Sequence, residues 1–306
     1  KVKLTARILY VIYAVLTIIL IILLVFGGMS LFDSILMAFG TAGTGGFGVK
    51  NNSAMYWDSA YIEGVLTVFM ILFGINFNLI YFAILGRIKE VMRSEELRWY
   101  LLIIFGAIVL ITINTLPMYD SILQAIRYSS FQVGSIITTT GYVSYNYDTW
   151  PLFSQMILLA LMFIGACSGS TGGGIKISRI VIYFKNARNE IRRLVHPHSI
   201  KTVEFEGQPV DENVNRNIHA YLAVYLALFA VSLLIVALNN FDFKTTFSAV
   251  TTCFNNVGPG LEVVGAVGNF SSLSDLSKIV LSFDMLAGRL EIFPLLLLFS
   301  PSLWRK

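Results

Sequence analysis

A chain of 306 residues that is 56% hydrophobic and 13% charged, with a mean hydropathy of +0.73, falls outside the composition of soluble globular domains. Apolar runs of about 20 residues predict membrane-spanning helices and exclude the alternating pattern of a transmembrane barrel. The formal charge of +4 does not indicate nucleic-acid binding, because the basic residues cluster between apolar runs, which is a signal of membrane topology.

The apolar runs repeat a pattern of full span, half-length segment, Gly-rich loop and second full span three times. A half-length segment cannot cross a hydrocarbon core of about 30 Å, so it is predicted to re-enter the membrane or lie at its interface. Full spans are expected at 8–26, 61–85, 99–116, 218–238 and 279–299, and within 152–183. Half-length segments are expected at 29–39, 121–137 and 243–254. The predicted fold is therefore all-α and polytopic, with repeats at 1–98, 99–216 and 217–306.

Each half-length segment leads into a loop rich in glycine, within 39–48, 131–142 and 251–260. Backbone carbonyls and threonine hydroxyls in a glycine-permitted turn are the oxygen ligands with which a potassium filter replaces a hydration shell. Glycines in membrane helices also serve simply to let helices approach closely. Non-helical backbone at membrane depth must be buried in protein or line water, so three such loops predict a pore lining.

The run 152–183 would be one very long helix, but residues 165–174 interrupt it with five glycines, two serines and one threonine. Helix propensity there is poor, since each glycine costs about 1 kcal/mol relative to alanine. The interruption predicts a movable loop beneath the filter that closes the pore, with Lys176 and Arg179 at its inner edge. The alternative is a cytoplasmic loop between two separate helices.

Arg289 is expected near the middle of the last span, where an arginine must face the bundle interior or water. Asp284 and Glu291 are possible partners in a structural ion pair. Otherwise a cation placed in a cation pathway acts as a barrier or gate.

Charges are distributed unequally between the two ends of the spans. The positive-inside bias places the basic ends in the cytoplasm and the filter loops outside. The filter side is rich in carboxylates, which would concentrate cations. These carboxylates are Asp33, Asp58, Asp120, Asp148, Asp242 and Asp275.

Several short stretches carry a family resemblance that covers essentially the whole chain. They are Thr-Gly-Gly-Phe at 44–47, Thr-Thr-Thr-Gly-Tyr at 138–142, Ser-Gly-Ser-Thr-Gly-Gly-Gly-Ile-Lys at 168–176, Asn-Asn-Val-Gly-Pro-Gly at 255–260 and Gly-Arg-Leu-Glu-Ile-Phe-Pro at 288–294. With them the chain resembles the Trk/Ktr/HKT superfamily of cation transporters, and is most similar to the bacterial TrkH-type potassium uptake membrane subunit.

The resemblance implies a pseudo-fourfold pore in the bacterial inner membrane and no enzymatic activity. It implies a potassium filter formed by Thr44, Gly45, Gly46, Thr139, Thr140, Gly141, Asn256, Val257 and Gly258, with potassium held at Gly46, Thr140, Gly141, Val257 and Gly258. It implies a gating loop formed by Gly165, Ser168, Gly169, Ser170, Thr171, Gly172, Gly173, Gly174 and Lys176, and a barrier at Arg289. Similar proteins are homodimers that bind a cytosolic ring of nucleotide-sensing subunits of the ATP/ADP or NAD type. No organic cofactor is expected in the chain itself.

The chain departs from the family in showing three repeats where the family has four. We therefore expect the native gene product to contain a further N-terminal repeat. The function expected is gated, channel-like potassium uptake. Alternatives are a potassium symporter coupled to sodium or protons, which paired broken helices in inverted halves would favour, and a non-conducting structural subunit.

Overall fold

The computed structural model describes residues 2–196, 202–290 and 292–298, and these residues are mainly helical. The predicted all-α architecture is confirmed, with one short hairpin of strands β1 (Glu204–Phe205) and β2 (Gln208–Pro209). The helices are α1 (Val2–Phe26), α2 (Leu31–Ala42), α3 (Ala60–Phe73), α4 (Phe77–Ile84), α5 (Ile88–Arg93), α6 (Glu95–Thr115), α7 (Ile122–Ile137), α8 (Leu152–Ile164), α9 (Ile177–Val195), α10 (Glu212–Ala237), α11 (Phe243–Phe254), α12 (Asp275–Leu290) and α13 (Ile292–Leu297).

Three described helices are long and apolar enough to cross a membrane: Ala6–Phe26, Glu95–Met118 and Glu212–Ala237. Their outer faces are apolar, and in α6 the side chains of Leu102, Phe105 and Ile113 are 60–70% exposed. A large exposed apolar face is expected where lipid takes the place of water. The chain is thus a multi-pass membrane protein.

The predicted span 61–85 is wrong as one continuous helix, because α3 and α4 are bent by 102° at residues 74–76. Gly74 ends α3, and the Asn76 side chain caps α4 by accepting from the N–H of Asn78 at 2.9 Å. The Tyr100 hydroxyl fills the space beside Gly74 and donates to the carbonyl of Ile71 at 3.1 Å. Hydropathy alone did not show this break, because both segments are apolar.

The half-length helices α2, α7 and α11 begin with a side-chain cap, at Ser30, Ser121 and Asp242. Each cap accepts a hydrogen bond from the N–H three residues later, which satisfies an otherwise unpaired donor of the first turn. Each half-length helix packs against the helix before it and the helix after it, which gives three similar units. The units are joined through contacts of α3 with α7 and of α8 with α11.

The expected repeat boundaries after residues 98 and 216 fall inside helices, since α6 begins at Glu95 and α10 at Glu212. The charged residues in the first turn of each helix made the apolar run look shorter than the helix. Phe299 and residues 304–306 lie outside the described residues, so the structure does not define the end of the last predicted span.

Candidate cation pathway

The three half-length helices end in the same backbone turn. The residue one past each helix C-cap has left-handed dihedrals: Thr44 at φ +48°, Thr139 at +57° and Asn256 at +57°. In each case the next N–H donates to the carbonyl five residues earlier, at 2.8–2.9 Å. This pair of features is the Schellman motif, which pairs the last helix carbonyls within the chain. The repeated motif fixes the direction in which each loop leaves its helix.

A second left-handed residue follows two positions later, at Gly46, Gly141 and Gly258 (φ +65°, +84° and +108°). A Cβ atom added to Gly46 would lie 2.0 Å from the carbonyl oxygen of Thr140, and one added to Gly141 would lie 2.0 Å from that of Val257. Neither distance is sterically possible, so both positions require glycine. The loops therefore pack edge to edge, first against second and second against third.

The structure brings all nine predicted filter residues into this arrangement, at three matched positions of each loop. Between the first and third loops lies a cavity of about 510 Å³ that Gly45, Gly258 and Met285 help to line. No described residue lies within 4 Å of a Cβ added to Gly258. The C-terminal ends of α2 and α11 line this cavity, and their partial negative charge favours a cation.

The segment that interrupts the predicted helix 152–183 is a loop, residues 165–176, between α8 and α9. The two ends of this loop lie side by side. Its base is held by three backbone bonds of 3.1–3.2 Å, in which Ile175, Lys176 and Ile177 donate to carbonyls of residues 163–166. All nine predicted gating-loop residues lie within this segment. The Lys176 ammonium donates to the carbonyl of Gly172 inside the loop.

This loop contacts all three filter loops. The carbonyl of Thr171 lies 2.8 Å from the hydroxyl of Thr44, and the N–H of Gly173 donates to the Thr139 hydroxyl at 2.6 Å. A Cβ atom on Gly173 would lie 2.7 Å from the carbonyl oxygen of Asn255. The loop is therefore packed under the helix ends, and is not a cytoplasmic connection between separate helices.

The same loop is hydrogen-bonded to the bend between α3 and α4. Cys167 donates its N–H to the carbonyl of Gly74 at 3.0 Å, and Thr171 donates to Phe73 at 3.4 Å. In the opposite direction, the N–H of Phe77 donates to the carbonyl of Gly169 at 3.3 Å. The bend thus supplies backbone partners for a loop of the neighbouring repeat.

Glu96 is a residue that the sequence analysis missed. Its side chain is buried, and one carboxylate oxygen accepts from the N–H of Ser168 at 2.7 Å and of Ser178 at 3.2 Å. It therefore joins the start of the loop to the first turn of α9. The sequence signal was weak, since a glutamate in the first turn of a helix is ordinary and the loop lies 72 residues away.

Arg289 bridges the loop 165–176 and the first filter loop. Its guanidinium donates to the carbonyl of Thr171 at 2.8 Å and to that of Gly43 at 3.0 Å. The structure places the Asp284 carboxylate elsewhere, on the Ser232 hydroxyl at 2.8 Å, and Glu291 lies outside the described residues. Arg289 lines both the filter cavity and a cavity of about 310 Å³ beside the loop.

Two of the carboxylates predicted to attract cations on the filter side are held by hydrogen bonds within the protein. One of their partners, Arg127, was not among the predicted site residues. Arg127, on α7, pairs with both oxygens of the buried Glu63 and with Asp58, at 2.8–2.9 Å. Asp148 accepts from the N–H groups of Glu262 and Ala266 at 3.0 and 3.3 Å. Burial raises the pKa of the Asp148 carboxyl, and these two donors oppose the rise. The Arg127 ion pairs and the Asp148 hydrogen bonds thus hold these loops in place.

The chain was compared with protein families, with known sequences and with solved structures. Residues 1–306 match the family described as TrkH, cation transport protein. The chain belongs to the TrkH family. The family is one of membrane cation transporters and not of enzymes, as the sequence predicted.

Individual members of the TrkH family are similar to this chain over nearly its whole length. The Trk system potassium uptake protein TrkH of Escherichia coli strain K12 is 36% identical over 99% of this chain and 63% of that protein. The protein named TrkG of the same strain is 34% identical over 98% of the chain and 62% of its own length. The crystal structure of the potassium transporter TrkH from Vibrio parahaemolyticus superposes with a TM-score of 0.91 at 35% identity, over 99% of this chain and 65% of that one. The chain thus spans slightly less than two thirds of these relatives.

Proposed function

We propose that this chain forms the conduction path of a gated, channel-like potassium uptake protein. The observation that supports this most is the matched backbone turn of the three filter loops, together with the edge-to-edge packing of the loops at Gly46 and Gly141. The relatives of this chain are named potassium uptake proteins, and they are longer than the chain. The activity of those whole proteins is therefore a proposal for this chain.

The ligands proposed for potassium are oxygens of the filter backbone, at Gly46, Thr140, Gly141, Val257 and Gly258. Carbonyl oxygens bind a cation without carrying a full charge, so the ion can leave again. Threonine hydroxyls at Thr44 and Thr139 lie on the inner side, where they contact the loop 165–176. Potassium is the transported substrate in this proposal, and no organic cofactor takes part.

Rubidium tracer uptake tests the proposal. In proteoliposomes of the native gene product, excess potassium should suppress rubidium uptake strongly, whereas the same concentration of sodium should not. Equal competition by both ions would mean a poorly selective path and would overturn the assignment to potassium. Absence of flux in correctly folded protein would favour a structural subunit instead.

We propose that the loop 165–176 closes the path. It fills the space under three filter loops, and Arg289 and Glu96 hold it there. To open the path, the loop would have to withdraw from the filter loops toward a cavity of about 1040 Å³. Glu96 and Ser168 are among the residues that line this cavity.

Deleting Gly172 and Gly173 is expected to make the path leaky while its selectivity is kept. The shortened loop could not reach both Thr44 and Thr139, whereas the filter turns would remain. Rubidium uptake should rise about tenfold at an unchanged potassium to sodium ratio, which corresponds to lowering the barrier by about 1.4 kcal/mol. Deleting Ser271 and Ser272, both exposed, is the control. Loss of all transport with normal folding would contradict a gating role.

A symporter coupled to sodium or protons is the second candidate, and the bend of 102° between α3 and α4 favours it more than the sequence did. Among the described residues, this bend and the interruption between α8 and α9 each follow a half-length helix, in successive repeats that have the same helix order and are not inverted. Discontinuous helices are typical of secondary transporters. Rubidium uptake that depends on an imposed sodium or proton gradient would support coupling.

We also propose the partners and orientation that the family resemblance implies. These are a homodimer in the bacterial inner membrane, with outward-facing filters, and a cytosolic nucleotide-sensing subunit of the ATP/ADP or NAD type. The basic side of α9 supports a docking surface, since Lys185, Arg188 and Arg192 line one cavity. Cross-linking of the subunit to a cysteine placed at residue 188 would test this.

A further inference from the structure

The carbonyl that follows each filter glycine is held by a hydroxyl in all three loops. In the second loop, the Ser135 hydroxyl donates to the carbonyl of Tyr142 at 2.6 Å. In the third loop, the Thr252 hydroxyl donates to that of Pro259 at 3.1 Å. In both loops the donor lies seven residues before the acceptor, on the last turn of the half-length helix. The bond ties the outer part of each loop back to its own helix.

The first loop lacks this hydroxyl, because the matching residue is Gly40 and the matching carbonyl is that of Phe47. The hydroxyl of Tyr142, from the second loop, lies 3.0 Å from the Phe47 carbonyl and 3.0 Å from that of Met37. A Cβ atom on Gly40 would lie 2.1 Å from this hydroxyl oxygen and 2.7 Å from the Phe47 oxygen. The tyrosine hydroxyl therefore occupies the place of the absent side chain.

The Tyr142 ring is fully buried, and it packs in an apolar cluster that includes Met37 of α2 and Phe131 of α7. A phenylalanine at residue 142 would fill the same space with its ring. It would leave the partly buried Phe47 carbonyl without this donor, whereas the Met37 carbonyl keeps the Thr41 hydroxyl at 2.8 Å. Losing such a hydrogen bond is destabilising. The hydroxyl thus has a role that apolar packing does not explain.

We propose that Tyr142 is a positioning residue for the first filter loop, whose carbonyls it orients from the neighbouring loop. This inference rests on the proposed potassium uptake, and it adds that the ion selectivity of the first and second loops is coupled through one hydroxyl. Potassium selectivity depends on the number and orientation of the coordinating carbonyls. Losing the bond should therefore change the ratio of ions transported more than it changes the amount of folded protein.

The test measures rubidium uptake in proteoliposomes of the native gene product with potassium or sodium as competitor. Tyr142→Phe should lower the preference for potassium by about fivefold, which matches the loss of one net hydrogen bond. Gly40→Ser alone should also impair the filter, because its side chain collides with the tyrosine hydroxyl.

The control variant is Tyr183→Phe, which removes a tyrosine hydroxyl that donates to the carbonyl of Ile218 between α9 and α10. It should leave the preference unchanged. An unchanged preference in Tyr142→Phe would overturn the inference. A Tyr142→Phe variant that does not reach the membrane would also overturn it, because the hydroxyl would then act on folding more than on the ratio of ions transported. A wild-type protein without potassium preference would instead refute the proposed function, which separates the two results.

Discussion

Replacing Gly141 by alanine is expected to abolish potassium-selective uptake. Residue 141 has φ +84°, which costs an L-residue about 1–2 kcal/mol, and the new methyl group would lie 2.0 Å from the carbonyl oxygen of Val257. The second and third loops must then separate, and the carbonyls between them lose their spacing. Selective rubidium uptake should fall at least tenfold, an effect of about 1.4 kcal/mol or more on the barrier.

Gly106→Ala is the matched control, because residue 106 lies in α6 and a Cβ atom there has no described neighbour within 4 Å. Alanine is the better helix former, so this variant should fold and transport normally. The measurement is rubidium uptake per amount of folded protein, with potassium and sodium as competitors. Normal selectivity in Gly141→Ala would mean that this loop does not form the filter.

Replacing Arg289 by alanine should raise the flux through an otherwise intact protein. The guanidinium lies at the C-terminal end of α2, where the helix favours a cation, and it joins Gly43 to Thr171. The substitution removes a positive charge next to the filter and also a bond that holds the closed loop. Rubidium uptake should increase by about tenfold, equivalent to about 1.4 kcal/mol.

Arg289→Lys separates the two contributions to this effect. Lysine keeps the charge but cannot present the planar pair of donors that reaches both carbonyls. A flux near that of the wild type would show that the charge is the barrier, and a flux near that of Arg289→Ala would show that the bridge is. A flux in Arg289→Ala that is unchanged or lower would indicate a structural role for the arginine.

Much of this arrangement could be predicted from local patterns. The half-length helices follow from apolar runs too short to span a bilayer, and the end of α11 at Phe254 agrees with the prediction. Gly46 and Gly141 were assigned to the filter by the family resemblance, and the structure gives the physical reason for glycine at both positions, namely the backbone turn and the close approach of the next loop. The loop 165–176 was recognisable because its composition opposes a helix.

Features that depend on contacts between distant residues could not be predicted in this way. The bend after Phe73 is stabilised by hydrogen bonds from a loop almost 100 residues later in the chain. Glu96 and Arg127 are ordinary charged residues until folding brings their partners to them. The Tyr142 hydroxyl has meaning only beside Gly40, in another repeat.

The bend between α3 and α4 also determines where water would have to go if the loop 165–176 opens the path as proposed. Three backbone bonds, at Phe73, Gly74 and Phe77, have partners in the loop 165–176. Withdrawing the loop would leave these groups unpaired in a low-dielectric space, at a cost of about 1–3 kcal/mol each. Water entering the vacated space can replace the lost partners at little cost. We therefore expect opening of the proposed gate and hydration of the bend to occur as one event.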